Sequence, residues 1–240
     1  MQHHERDKTS IMNIGIIGAG MIGGTLARRL TQLGHHVSIA NSRGPETLGP
    51  LAAETGARAV TAHAAARSGE IVIVTIPERA VKDLPKDLFE DVPSSVVVID
   101  TGNYYPARDG SISEIEQGQP ESAWVADQIG RPVVKAFNNI FFQSLLEKGT
   151  PAATANRVAI PVAGGTSEAR AKVMQLVDQL GFDPVDAGDL DESWRQQPGT
   201  PCYTGDFSAP ELRKALASVE RARIPEYRKA ADDAARAYWS

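Results

Sequence analysis

Residues Asn13 to Leu30 read NIGIIGAGMIGGTLARRL. Ile14, Ile16 and Ile17 make an apolar run that stops at Gly18, Gly20 and Gly23, and an apolar-periodic segment follows. The order is strand, glycine turn, helix, which is the context a G-x-G-x-x-G motif requires. Gly18 permits a sharp turn, Gly20 lets backbone approach a pyrophosphate, and Gly23 lets helix and strand pack closely. Met21 and Ile22 then open the helix, whose unpaired N–H groups and positive dipole end favour phosphate. The stretch makes a dinucleotide the first ligand to expect.

Working outward, strand-like and helical patterns alternate. The helix begun at Met21 reaches Leu33 and stops at Gly34, a usual C-terminal glycine. Strands are expected at Val37–Ala40, Arg58–Val60, Ile71–Ile76, Val96–Ile99 and Val133–Ala136. Helices are expected near Pro45–Thr55 and Ala62–Ser68. The continuous β-branched run Ile71–Ile76 suits a strand buried on both faces of a parallel sheet. Arg157–Val162 and Phe182–Val185 read as further strands around a Thr166-capped helix over Ser167–Leu180. Residues 189–206 read as loop and short helix. A last helix starts near Pro210, carries Leu212, Leu216 and Val219 on one face, and should kink or break at Pro225. The reading is an α/β protein: a Rossmann-type, doubly wound, mostly parallel sheet with a small helical C-terminal lobe. Residues 1–11 are expected to form a disordered leader, 12–150 the dinucleotide-binding domain, and 151–240 an extension of the sheet plus the lobe.

The end of the second strand selects the cofactor. An NAD site usually carries Asp or Glu there for the ribose 2′-hydroxyl. This chain has Asn41-Ser42-Arg43-Gly44-Pro45, with no carboxylate before Glu46. Arg43 can meet a 2′-phosphate with several N–H donors, and Asn41 and Ser42 can add hydrogen bonds. NADP is therefore expected. Ligands of this fold sit beyond the carboxyl ends of the strands. That places Thr75, Ile76 and Pro77 beside the nicotinamide ribose. Thr101 and Asn103, with Asp100, are placed to bond cofactor or substrate, or to form an Asx turn. Ala136 and Asn138 would face the nicotinamide from the far side.

Composition bounds the rest. The net charge of −5 argues against a general nucleic-acid binder. No apolar run approaches the roughly 18–20 residues of a membrane span, and no signal-peptide pattern opens the chain, so a cytoplasmic protein is expected. The single cysteine, Cys202, excludes an internal disulfide and a Cys-rich metal site. His35, His36 and His63 lack ligand spacing, and no metal site is expected. Lys135, with Asn138 or Asn139, is the one faint candidate for acid–base chemistry.

These motifs resemble the NADP oxidoreductases that depend on coenzyme F420, a deazaflavin, and the NADPH-binding domain of the membrane ferric reductases. The resemblance rests on IGIIGAGMIG, on Asn41-Ser42-Arg43, on Val74–Pro77, on Asp100–Asn103 and on Val134–Asn138. It continues weakly through Ile160–Gly165 and Asp186–Leu190. It implies hydride transfer between NADP(H) and a deazaflavin or flavin-like ring, where the cofactors carry the reactivity and the protein positions them. It also suggests a homodimer, as does the apolar face of the last helix. Residues 104–132 depart from the compact pattern and could re-form the acceptor pocket. Two other readings stand beside it: an NADP-dependent reductase of a small carbonyl or imine, and a non-catalytic NADP sensor.

Overall fold

The structure is a computed structural model that describes residues 10–238. The leader expected at 1–11 lies, but for Ser10 and Ile11, outside the described residues.

Eight strands form one sheet. They are β1 (Asn13–Ile17), β2 (His36–Ala40), β3 (Arg58–Ala59), β4 (Ile71–Val74), β5 (Val97–Asp100), β6 (Val133–Lys135), β7 (Ala159–Gly164) and β8 (Asp183–Asp186). Their order is β3-β2-β1-β4-β5-β6-β7-β8. Every pair is parallel except β6 with β7, so the last two strands run against the other six. The chain leaves β1 toward β2 and β3, then crosses back to lay β4 on the other side of β1. This reversal is the switch point, and it opens a crevice at the carboxyl ends of β1 and β4.

The period-2 alternation of strand side chains builds a core on each face. Ile14 and Ile16 of β1 join Ile71 and Ile73 of β4 on one side, with Leu26 and Leu30 of helix α1 (Met21–Gln32). Ile17 joins Val72 and Val74 on the other side, with Leu88 and Phe89. Leu33 ends α1 in the right-handed region, and Gly34 follows at φ 88°.

Several boundaries differ from the sequence expectation. Strand β4 ends at Val74 rather than Ile76, because beyond it the chain turns along the crevice. Pro225 does not kink the last helix. That helix ends at Ala217, and Pro225 lies in the first turn of another, Ile224–Ala235, where its missing N–H costs nothing. The apolar face of helix Ala209–Ala217 is covered by its own chain. Leu212 and Leu216 pack with Ala159, Val185 and Cys202. A face spent on the internal core no longer argues for a second copy. Residues 104–132, without assigned structure in the sequence reading, form short helices at Pro106–Asp109 and Ser113–Glu116 and a longer one at Glu121–Ile129.

Candidate active site

The crevice at the switch point is a cleft of about 780 Å³. Gly18, Ala19 and Gly20 line it together with Asn41, Ser42 and Arg43, and with Thr75, Ile76 and Pro77. Eight of the residues singled out in the sequence thus share one wall system. Arg79, Ala80, Asp83, Leu84 and Pro85 close the opposite side, and these the sequence reading did not name. The glycines serve different purposes. Gly18 has φ +117°, and a Cβ there would lie 2.0 Å from the Thr75 carbonyl oxygen. A Cβ on Gly23 would lie 2.0 Å from the Gly18 carbonyl oxygen. A Cβ on Gly20 would meet no protein atom within 4 Å. The fold requires Gly18 and Gly23; Gly20 leaves space on the cleft side, as close approach of a pyrophosphate demands. Met21 stands 69% exposed at the start of α1.

The turn after β2 is built by Asn41. Its Oδ1 accepts the backbone N–H of Arg43 (3.0 Å), and its Nδ2 donates to Thr47 Oγ1 (2.8 Å). This is an Asx turn. It spends the Asn41 amide on shaping the loop and presents Ser42 and Arg43 outward, both exposed. No carboxylate stands beside the Arg43 guanidinium in an ion pair among the described residues. A free guanidinium, a small hydroxyl and a cleft with room at Gly20 fit the 2′-phosphate and pyrophosphate of NADP.

Ile22, in the first turn of α1, packs against the core and not on the wall of this cleft, and Thr101, Asn103, Ala136 and Asn138 lie off that wall too, at the ends of β5 and β6. Thr101 and Ala136 are buried, with their N–H groups given to Val74 and Asp100 carbonyls (3.1 and 3.2 Å). Asn138 is sealed in a hydrogen-bond network. Its Nδ2 donates to Gln196 O (2.6 Å) and Asn103 Oδ1 (3.1 Å), and its Oδ1 accepts from Gln196 Nε2 (3.0 Å). Asn103 Nδ2 donates to Asn138 O (3.0 Å) and to Tyr203 Oη (3.3 Å). Tyr203 in turn shares a 2.6 Å hydroxyl contact with Tyr105. Phe137 makes this meeting possible: it is buried at φ +63°, a left-handed conformation costly for a bulky residue, and it turns the chain between Ala136 and Asn138. Gln196 and Tyr203 come from the C-terminal segment, so linear order gave no sign of them.

Beneath these strand ends lies a buried charge cluster. Lys135 Nζ donates to Asp100 Oδ2 (3.0 Å) and to Gly102 O (2.5 Å). Asp100 also accepts from Ser122 Oγ (2.6 Å) and Gly102 N–H (2.8 Å). Lys135 is fully closed to solvent, so the faint acid–base candidate of the sequence is an internal cation. Asp100, likewise, turns into the protein and not toward a ligand. Glu78 and Glu121 are buried beside them. Gly102 makes room for Glu78, whose Oε1 would lie 2.5 Å from a Cβ there. Both Glu78 oxygens lack a hydrogen-bond partner. Burial, then the Asp100 charge, push the Glu78 carboxyl well above the usual range, against the pull of Lys135. Burial raises Glu121 to about 7, against Lys135 and Arg228. Burial pushes Lys135 down, but Asp100, Glu121 and Glu78 outweigh it and hold the ammonium charged. The cluster had a partial signal in the sequence: a lysine and an aspartate each ending an otherwise apolar strand. Cys202 is buried and its thiol is raised to about 11 by that burial, as a structural cysteine should be.

Comparison with known proteins agrees with this geometry. Residues 13–104 match the family described as NADP oxidoreductase, coenzyme F420-dependent. A hypothetical protein from Sinorhizobium meliloti, SMa0349, is 30% identical, with a TM-score of 0.68 over 82% of this chain and 95% of its own. Protein YjhV of Escherichia coli strain K12 is 42% identical over 79 residues, which are 31% of this chain and 58% of that protein. The match therefore spans under two thirds of that curated relative. A candidate F420-dependent NADP reductase from Arthrobacter sp. FB24 shares the fold at 20% identity, with a TM-score of 0.61 over 75% of this chain and 86% of its own. An imine reductase from Pseudomonas sp. shares it at 19% identity, with a TM-score of 0.51 over 86% of this chain and 61% of its own. Fold and cleft define the class: a Rossmann-type NADP-dependent oxidoreductase. Within that class, it is residues 13–104 that match the coenzyme F420-dependent NADP oxidoreductase family.

Proposed function

We propose that this protein transfers a hydride between NADP(H) and a deazaflavin or flavin-like ring. The observation that carries the reading is the single cleft shared by the glycine turn, the outward Arg43 and the Thr75–Pro77 segment. The glycine turn and the α1 N-terminus hold the pyrophosphate, Arg43 and Ser42 hold the 2′-phosphate, and Thr75–Pro77 run beside the nicotinamide ribose. The bound nicotinamide supplies the hydride. The protein supplies position. Deazaflavin as the acceptor is supported by the family.

A second reading is a reductase of small carbonyls or imines. It is favoured by the polar group of Asn103, Tyr105 and Tyr203 beside the strand ends, since such substrates need a proton as well as a hydride.

The test is to mix purified protein with NADPH and, separately, coenzyme F420, flavins, and a set of small ketones and imines, and to follow NADPH loss by absorbance. Oxidation with the ring acceptors supports the first reading, and oxidation only with carbonyls or imines supports the second. NADPH binding without turnover on any of them would remove both and leave a binding protein.

A further inference from the structure

We propose that Tyr203 is the proton donor of the reaction, with Tyr105 as the group that resupplies it. The proposal rests on the hydride-transfer reading above and extends it to the acceptor side. A hydride delivered to a flavin-like ring, a carbonyl or an imine leaves a basic nitrogen or oxygen behind. The balance is NADPH plus acceptor plus one proton, giving NADP⁺ and the acceptor with two hydrogens. The C4–H bond of the dihydronicotinamide breaks, a C–H or N–H bond forms at the carbon or nitrogen that takes the hydride, and an N–H or O–H bond forms at the basic atom. That second bond needs a donor within hydrogen-bond reach.

The strand ends narrow the donor. Lys135 and Asp100 are sealed against each other, and Glu78 is fully enclosed. The Tyr104 hydroxyl donates within its own loop, to Gly110 O and Glu116 Oε1, and its ring is buried. Tyr203 alone among these acids keeps partial exposure. It is fixed at the β5 end by Asn103 Nδ2, and its hydroxyl lies 2.6 Å from that of Tyr105. In such a contact one hydroxyl donates and the other keeps a proton to give. If Tyr203 passes its proton to the acceptor, the Tyr105 O–H can protonate it across the same contact. Tyr105 also faces Arg108, Asp109 and Glu121. The Arg108 guanidinium is paired with Asp109 and lies 5.3 Å from the centroid of the Tyr105 ring, which holds that ring in place. Burial holds both phenols above their ordinary range, so both carry their protons at neutral pH.

The experiment compares Tyr203→Phe and Tyr105→Phe with the unaltered protein, using whichever acceptor the panel above identifies. Tyr203→Phe keeps the ring and its packing. Turnover should fall roughly 100-fold or more, with NADPH affinity by fluorescence titration and thermal midpoint unchanged. Tyr105→Phe should fall less and should change the solvent deuterium isotope effect on turnover. Full turnover by Tyr203→Phe overturns the proposal and leaves the hydride reading intact. Equal loss of NADPH affinity and turnover in Tyr203→Phe also overturns it, because the residue would then be structural. An unaltered protein that binds NADPH but reduces nothing in the panel removes the hydride reading, and the proposal falls with it.

Discussion

Lys135 Nζ and Asp100 Oδ2 lie 3.0 Å apart at the adjacent ends of β6 and β5, where the parallel register sets the two residues side by side. The pair holds the Asp100–Gly102 turn through Gly102 on both its N–H and its carbonyl. It therefore fixes the floor on which Asn103 and Tyr105 stand. Breaking a buried pair by removing one partner strands the other charge.

Lys135→Met should accordingly cost about 3–5 kcal/mol in stability, read by urea unfolding. Adding Asp100→Leu should return part of that loss. A stable Lys135→Met protein with abolished turnover would instead give Lys135 a direct chemical role.

The proposed function gives Arg43 the choice of cofactor. Arg43→Ala should weaken NADPH binding by roughly 10-fold or more, the loss of about 1.5–3 kcal/mol of charge-assisted contact, while NADH binding stays nearly constant. Equal weakening of both in paired titrations would take the 2′-phosphate away from Arg43.

The glycines separate fold from ligand. Gly23→Ala forces a Cβ to 2.0 Å from the Gly18 carbonyl oxygen, so thermal stability and NADPH binding should both fall. Gly20→Ala meets no protein atom within 4 Å, so the thermal midpoint should hold while NADPH affinity drops. A Gly20→Ala protein that binds NADPH normally would show that no pyrophosphate approaches there.

Glu121 ties stability to pH. Its carboxyl is raised from the ordinary 4.5 to about 7 by burial. The folded state therefore holds a proton that the unfolded chain releases between those values. Below 4.5 the group makes no difference; across the window stability falls as pH rises; above 7 the full penalty is present. Glu121→Gln should flatten this slope when unfolding free energy is measured against pH. Glu78 shifts in the same direction, so Glu78→Gln should flatten it further toward alkaline pH. A slope unchanged in both variants would mean that these carboxyls are already charged in the folded protein.

The sequence by itself determined the dinucleotide half of the protein. Strand, glycine turn and helix are local, and the alternation of Ile14, Ile16 and Ile17 already assigns each side chain to a face. Asn41-Ser42-Arg43 follows β2 directly, so its place at the cleft could be read from spacing alone. The ends of β5 and β6 depended on contacts between distant segments. Asn138 meets Gln196 across 58 residues of chain, and Asn103 meets Tyr203 across 100. The sequence reading placed Asn138 against the nicotinamide, and the structure closes it under Gln196. The buried company of Lys135 likewise emerged only when β5 and β6 were laid in register and Glu78 and Glu121 were folded over them. A charge in an apolar strand announces that it needs a partner, but pairing across a sheet is set by topology. Local chemistry thus decided the dinucleotide turn; tertiary packing, which brings remote polar groups together and pays for their burial collectively, decided what stands at the ends of β5 and β6.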